Sequence, residues 1–123
     1  MQLVYIGAFG LAGVLLRFFL SQPLNPAPGT GFPWGTFFVN ILGAFAVGAV
    51  YTFGIEKAAI SPELRVGLLV GLLGGFTTFS SICLEGVTML SNGREWQALL
   101  YIVLSNILGV AAAFAGVLLA RNF

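Results

Sequence analysis

Gly74-Gly75-Phe76-Thr77-Thr78-Phe79-Ser80-Ser81 lies in the third of four apolar stretches, where a plain membrane anchor would carry leucine, isoleucine or alanine. Glycine and β-branched threonine are weak helix formers, and hydrocarbon leaves no water to pair a loosened backbone. The apolar stretch around this run extends from about Leu64 to Leu90, roughly 40 Å as a helix. The hydrocarbon core is only about 30 Å thick. The run therefore falls near the middle of a segment too long for one straight span. Broken backbone at that depth is tolerated where it is buried in protein or lines a watery cavity, commonly at an ion or substrate site. The sequence predicts a protein that moves something across a bilayer.

Working outward, composition agrees. Of 123 residues 59% are hydrophobic, and only five are basic and four acidic. Soluble domains carry about a quarter charged residues. A net charge of +1 implies no nucleic-acid partner. The lone cysteine, Cys83, gives no disulfide or metal framework. No histidine or aspartate is present and no nucleophile–base pair is evident, so an enzyme is not expected. The first apolar run lacks a basic leader and reads as a span, not a cleavable signal.

Turn residues and charges divide the chain into four predicted spans, about 3–20, 34–54, 64–90 and 96–120. The expectation is an all-α membrane protein, one four-helix transmembrane domain over residues 1–123. Ser21-Gln22-Pro23-Leu24-Asn25-Pro26-Ala27-Pro28-Gly29 cannot continue the first helix. Ser61-Pro62 and Ser91-Asn92-Gly93 mark the later connections, and Trp34, Trp96, Tyr5, Tyr51 and Tyr101 stand at or near span ends, as interfacial aromatics do. Gly67, Gly71 and Gly75 recur at steps of four, a small-residue stripe suited to close helix packing. Gly10 and Gly13 share a face with Arg17 in the first span.

Polar residues inside the spans are the candidates for chemistry. Thr36 and Asn40 share one face of the second span; Tyr101, Ser105 and Gly109 form a narrow stripe on the fourth. Thr77, Thr78, Ser80 and Ser81 add hydroxyls. Each could serve only to glue helices or to bond back to its own backbone. Together they are neutral donors: amide, hydroxyl, phenol and the positive edges of phenyl rings. Such donors suit a small, strongly hydrated anion, which needs replacement hydrogen bonds yet must still escape.

Three local patterns resemble the Fluc (CrcB-type) fluoride channels: Gly13-Val14-Leu15-Leu16-Arg17-Phe18, Gly35-Thr36-Phe37-Phe38-Val39-Asn40, and Gly74-Gly75-Phe76-Thr77-Thr78-Phe79-Ser80 with Glu85 downstream. The resemblance implies a passive fluoride-selective channel in the cell inner (plasma) membrane, exporting fluoride from the cytoplasm. It implies an antiparallel, dual-topology homodimer with two pores, each built from both subunits. Asn40 would donate to the ion and Phe79 would offer its ring edge. Thr78, Ser80, Tyr101 and Ser105 would add pore hydroxyls, and Arg17 would sit near a vestibule. Backbone carbonyls of Gly74 and Thr77 would hold a structural Na+ at the dimer interface. The sequence departs from the family pattern at Ile82, where a second phenylalanine is usual. Two other classes compete: a proton-coupled small multidrug exporter, which needs a carboxylate in the membrane, and a non-transporting assembly protein.

Orientation can be tested directly. With four spans, Lys57, Arg65 and Arg121 fall on one side, Arg94 and a snorkelling Arg17 on the other, almost no positive-inside bias. This balance admits one weakly fixed orientation or both. A terminal tag should be found on both sides of the membrane, and two or three lysines added at one terminus should collapse this to one orientation. A single orientation of the unmodified chain would remove the basis for an antiparallel dimer.

Overall fold

The computed structural model describes residues 1–123, and its regular elements are all helical. Helix α1 is Gln2–Ser21, followed by a short 3-10 turn, Gln22–Leu24. Helix α2 is Trp34–Tyr51 and runs into a widened π turn, Thr52–Glu56. The third span consists of α3 (Pro62–Val66), a π-helical stretch (Gly67–Leu73), α4 (Gly74–Phe76) and α5 (Phe79–Ser91). Helix α6 is Glu95–Arg121. Four stretches are long and apolar enough to cross a membrane: Gln2–Leu24, Trp34–Glu56, Pro62–Ser91 and Glu95–Arg121.

Local chemistry explains the ends. Pro23 and Pro26 stop the first helix because proline lacks a donor and restricts the residue before it. Ser61 caps α3 by accepting from the Leu64 N–H at 3.3 Å, with Pro62 at the first helical position and Glu63 in the first turn. At the same end of the bundle Arg121 forms a two-pronged ion pair with Glu56, at 2.8 and 2.6 Å, joining the end of the fourth span to the end of the second.

The packing depends on glycine more than on large side chains. A Cβ on Gly13 would run into the Leu72 carbonyl, so the first span lies against the first half of the third, backbone to backbone. Gly71 and Gly75 make the reciprocal approach to Ile6, Gly10 and Val14. The second and fourth spans meet in the same way, Gly48 against Ala113 and Gly116 against Phe45. In lipid, where apolar side chains gain little by leaving hydrocarbon, such close approach supplies much of the association. The large-residue core is small: Phe37, Ile82, Met89, Ala98 and Tyr101. Most other large apolar side chains, including Leu3, Phe19, Val70, Leu84, Val110 and Phe114, face outward.

Gly13→Ala and Gly48→Ala should each destabilise the bundle by about 1–3 kcal/mol, because the obstructing atoms are backbone. Gly7→Ala, with nothing within 4 Å of an added Cβ, should be neutral or slightly stabilising. Unfolding of the detergent-solubilised protein checks the contrast. Equal stability of all three variants would contradict the packing.

Candidate functional site

Thr77 and Thr78 separate α4 from α5 with extended backbone, at φ −90°, ψ 155° and φ −150°, ψ 122°. The side chain that stabilises this geometry comes from α2. Asn40 Oδ1 accepts the Thr78 N–H at 2.8 Å, and Asn40 Nδ2 donates to the Thr78 carbonyl at 3.1 Å. The N–H fixes which way the amide faces, since only its oxygen can accept. One N–H of Asn40 is left without a protein partner.

Two helical donors are thereby diverted. In a continuous α-helix the Thr78 N–H would bond the Gly74 carbonyl, and the Ser81 N–H would bond that of Thr77. The first goes instead to Asn40. The second goes to the Thr78 hydroxyl, which accepts it at 3.3 Å as the cap of α5. The Thr77 carbonyl receives no hydrogen bond from the protein. Gly74 is exposed, and only the Leu69 carbonyl lies near the position of an added Cβ. Thr77 turns its own hydroxyl back to the Leu73 carbonyl at 2.9 Å. No cluster of three or more His, Cys, Asp or Glu is placed to hold a metal.

Thr78 lines two clefts. One, of about 350 Å³, is bounded by Asn40, Thr77, Thr78, Phe79, Ile82 and Ala113 among others. Phe79 is 72% exposed, so its ring is free of core packing. The other, of about 310 Å³, contains Arg17, Asn25, Thr36, Thr78, Ser81 and Glu85. The Thr78 hydroxyl stands 3.1 Å from that of Ser81 and 3.4 Å from that of exposed Ser80. Of the residues expected at the site, Arg17 lies on the second cleft, Asn40 and Phe79 on the first, Thr78 on both, and Ser80 beside Thr78.

Tyr101 and Ser105 are placed differently. Tyr101 is fully buried in the core cluster with Ile82, and its phenol donates to Glu85 Oε1 at 3.0 Å. Ser105 is 7% exposed, and its Oγ is the one buried side-chain polar atom without a hydrogen-bond partner. A serine in a helix ordinarily bonds back to its own backbone, so this hydroxyl is an unused donor. Neither residue borders the Asn40–Phe79 cleft within one chain.

The residue that sequence reading missed, Asn25, lies in the first connection. Asn25 Oδ1 accepts the Thr36 N–H and Asn25 Nδ2 donates to the Thr36 hydroxyl, both at 3.1 Å. That hydroxyl donates to Glu85 Oε2 at 3.1 Å. An Asn-Pro pair ahead of a helix was the available signal, since Pro26 restricts Asn25 to extended backbone and frees its side chain to cap.

Residues 4–117 match the family described as "CrcB-like protein, Camphor Resistance (CrcB)". The chain is similar to a "Fluoride-specific ion channel FluC" of Rhizobium meliloti (strain 1021), 41% identical over 120 residues, covering 98% of this chain and 96% of that one. Proteins of the same description from Geobacter sp. (strain M21) and Acidithiobacillus ferrooxidans (strain ATCC 53993 / BNL-5-31) are 40% and 39% identical, covering 97% and 94% of their own lengths. With nearly its whole length matched and its four apolar spans in place, the chain belongs to the CrcB-like family.

Proposed function

We propose that this chain forms a passive, fluoride-selective channel in the cell inner membrane that lets fluoride leave the cytoplasm and so limits its toxicity. The observation that carries the reading is the full-length similarity to proteins described as fluoride-specific channels. The site chemistry supports it. Asn40 keeps one amide N–H unspent beside exposed Phe79, and Ser105 holds an unpaired hydroxyl. These are donors without charge, which can replace part of an anion's hydration without trapping it. Neither competing class gains support: Glu85, the acid in the interior of a span, is engaged by Thr36 and Tyr101 and is not a free proton carrier.

The functional unit is an antiparallel homodimer of dual topology, with the Thr77–Thr78 interruption of each chain at mid-membrane. Four helices make a solid bundle with little room for an enclosed path, so the outward-facing Phe79 and the cleft beside it call for a second chain. Asn40, Thr78, Phe79, Ser80 and Ser105 line the fluoride path, with Arg17 at its vestibule; Tyr101, expected on the path, is fully buried with its phenol given to Glu85 and stands behind it. The Gly74 and Thr77 carbonyls fit a small hard cation, because both have lost their helical donors and each unpaired carbonyl would cost several kcal/mol in hydrocarbon. They would hold a structural Na+ between the two chains, and the ion would supply positive charge at the centre of an anion-conducting dimer.

Proteoliposomes should lose fluoride rapidly and chloride negligibly; equal rates would remove the selectivity. Asn40→Asp should lower fluoride efflux at least about tenfold, since a carboxylate offers no donor and repels the ion. Phe79→Ile should act similarly with the fold retained. Normal efflux in both variants would place the path elsewhere. Replacing all Na+ with a large organic cation should reduce efflux, whereas unchanged efflux would dismiss the cation.

A further inference from the structure

Asn25, in the connection between the first two spans, sits at the head of a hydrogen-bond chain whose direction is fixed. Its own backbone is held by N–H bonds to the Ser21 and Gln22 carbonyls, at 3.0 and 3.3 Å, and by the proline that follows. The Thr36 N–H can only donate, so it must meet Asn25 Oδ1. Asn25 Nδ2 can only donate, so the Thr36 Oγ1 must accept there. The single hydroxyl proton of Thr36 is then committed to Glu85 Oε2. Tyr101 occupies Oε1 from the fourth span. One carboxylate is thus drawn from both oxygens toward the second and fourth spans.

The consequence lies across the cleft. Arg17 lines the same 310 Å³ space as Glu85, and its guanidinium makes no hydrogen bond or ion pair. A carboxylate with a free oxygen would have every reason to turn toward this guanidinium, and an ion pair there would neutralise the cleft. We propose that Asn25 is a positioning residue: by orienting the Thr36 hydroxyl it tethers Glu85 away from Arg17 and keeps the vestibule positive toward an incoming anion. This rests on the channel reading above and adds a determinant from outside the spans. A guanidinium that no carboxylate neutralises raises the concentration of anions beside it. Loss of the tether therefore acts on fluoride capture from dilute solution more than on passage once the pore is full.

The test is fluoride efflux from proteoliposomes at dilute and at saturating fluoride, for wild type, Asn25→Ala, Thr36→Val and the double variant. Each single variant should lower efflux at dilute fluoride by about tenfold, at the modest end of such focusing effects. Efflux at saturating fluoride should approach wild type. The double variant should be no worse than either single one, because both break the same chain of bonds. Thr36→Val leaves the Asn25 Oδ1 cap on the Thr36 N–H in place, so it should melt close to wild type even if Asn25→Ala does not. In a Glu85→Gln background, which has no charge to release, Asn25→Ala should have no further effect. Wild-type efflux at dilute fluoride in Asn25→Ala, an equal proportional loss at both concentrations, or multiplied losses in the double variant would each overturn the proposal. A silent wild-type protein would instead remove the channel reading itself, and this inference with it.

Discussion

One side-chain amide, that of Asn40, takes over the backbone hydrogen bonding of Thr78 in both directions. Without it an extended residue inside an apolar segment would leave an N–H and a carbonyl unpaired, at several kcal/mol each in lipid. Much of the rest follows from that exchange. The Gly74 carbonyl loses its donor, the Thr78 hydroxyl becomes the cap of α5, and the Thr77 carbonyl is orphaned in turn. Phe79 then begins a new helix with its ring exposed. A short stretch of β-like geometry is affordable here because a neighbouring helix supplies the missing peptide.

Electrostatics in the proposed vestibule obey a comparable economy. Five basic and four acidic residues serve the whole chain, and the ion pair between Glu56 and Arg121 holds two of them at one end of the bundle. Arg17 keeps its charge uncompensated, while Glu85 is satisfied by neutral hydroxyls from two other helices. Acid and base thus share one cleft without collapsing onto each other. A site meant to admit an anion needs that separation, since charge neutralised within the protein cannot attract a ligand.

The sequence made some of this legible. Four apolar runs, their turn residues and the low charge predict the four spans, because hydrocarbon length and proline chemistry act locally. The glycine stripe is equally readable, and Gly71 and Gly75 do meet the first span. Arg17, Asn40, Thr78 and Phe79 were named from polarity, position and motif resemblance, and the fold gathers them around two clefts that share Thr78. The partners of Asn40 were not legible: its bonds reach 38 residues along the chain, and no periodicity reports such a pairing. Asn25 was hidden for the opposite reason, since polar residues in a proline-rich connection are expected to face water. Burial of Ile82 beside Tyr101 likewise depends on how α5 meets α6. The π-helical stretch at Gly67–Leu73 has no sequence signature either, because it answers to neighbours on several sides.

That widened stretch bears on how the spans find their alignment. An α-helix completes a turn in 3.6 residues, so a stripe of small residues at every fourth position winds slowly round it. Turns that take up more residues straighten the stripe, and Gly67, Gly71 and Gly75 can all face the first span. A straight, evenly spaced track is also degenerate. Sliding one helix by a single glycine step, about 6 Å, would again set small residue against small residue. Shape complementarity along that seam therefore leaves several alignments nearly equal, like teeth on a rack. The bond between Asn40 and Thr78 has no equivalent one step away: the residues four positions from Asn40 are Thr36 and Ala44, and neither can offer a peptide-like amide. In a bundle held by repetitive contacts, an unrepeated polar clamp such as this one favours a single alignment.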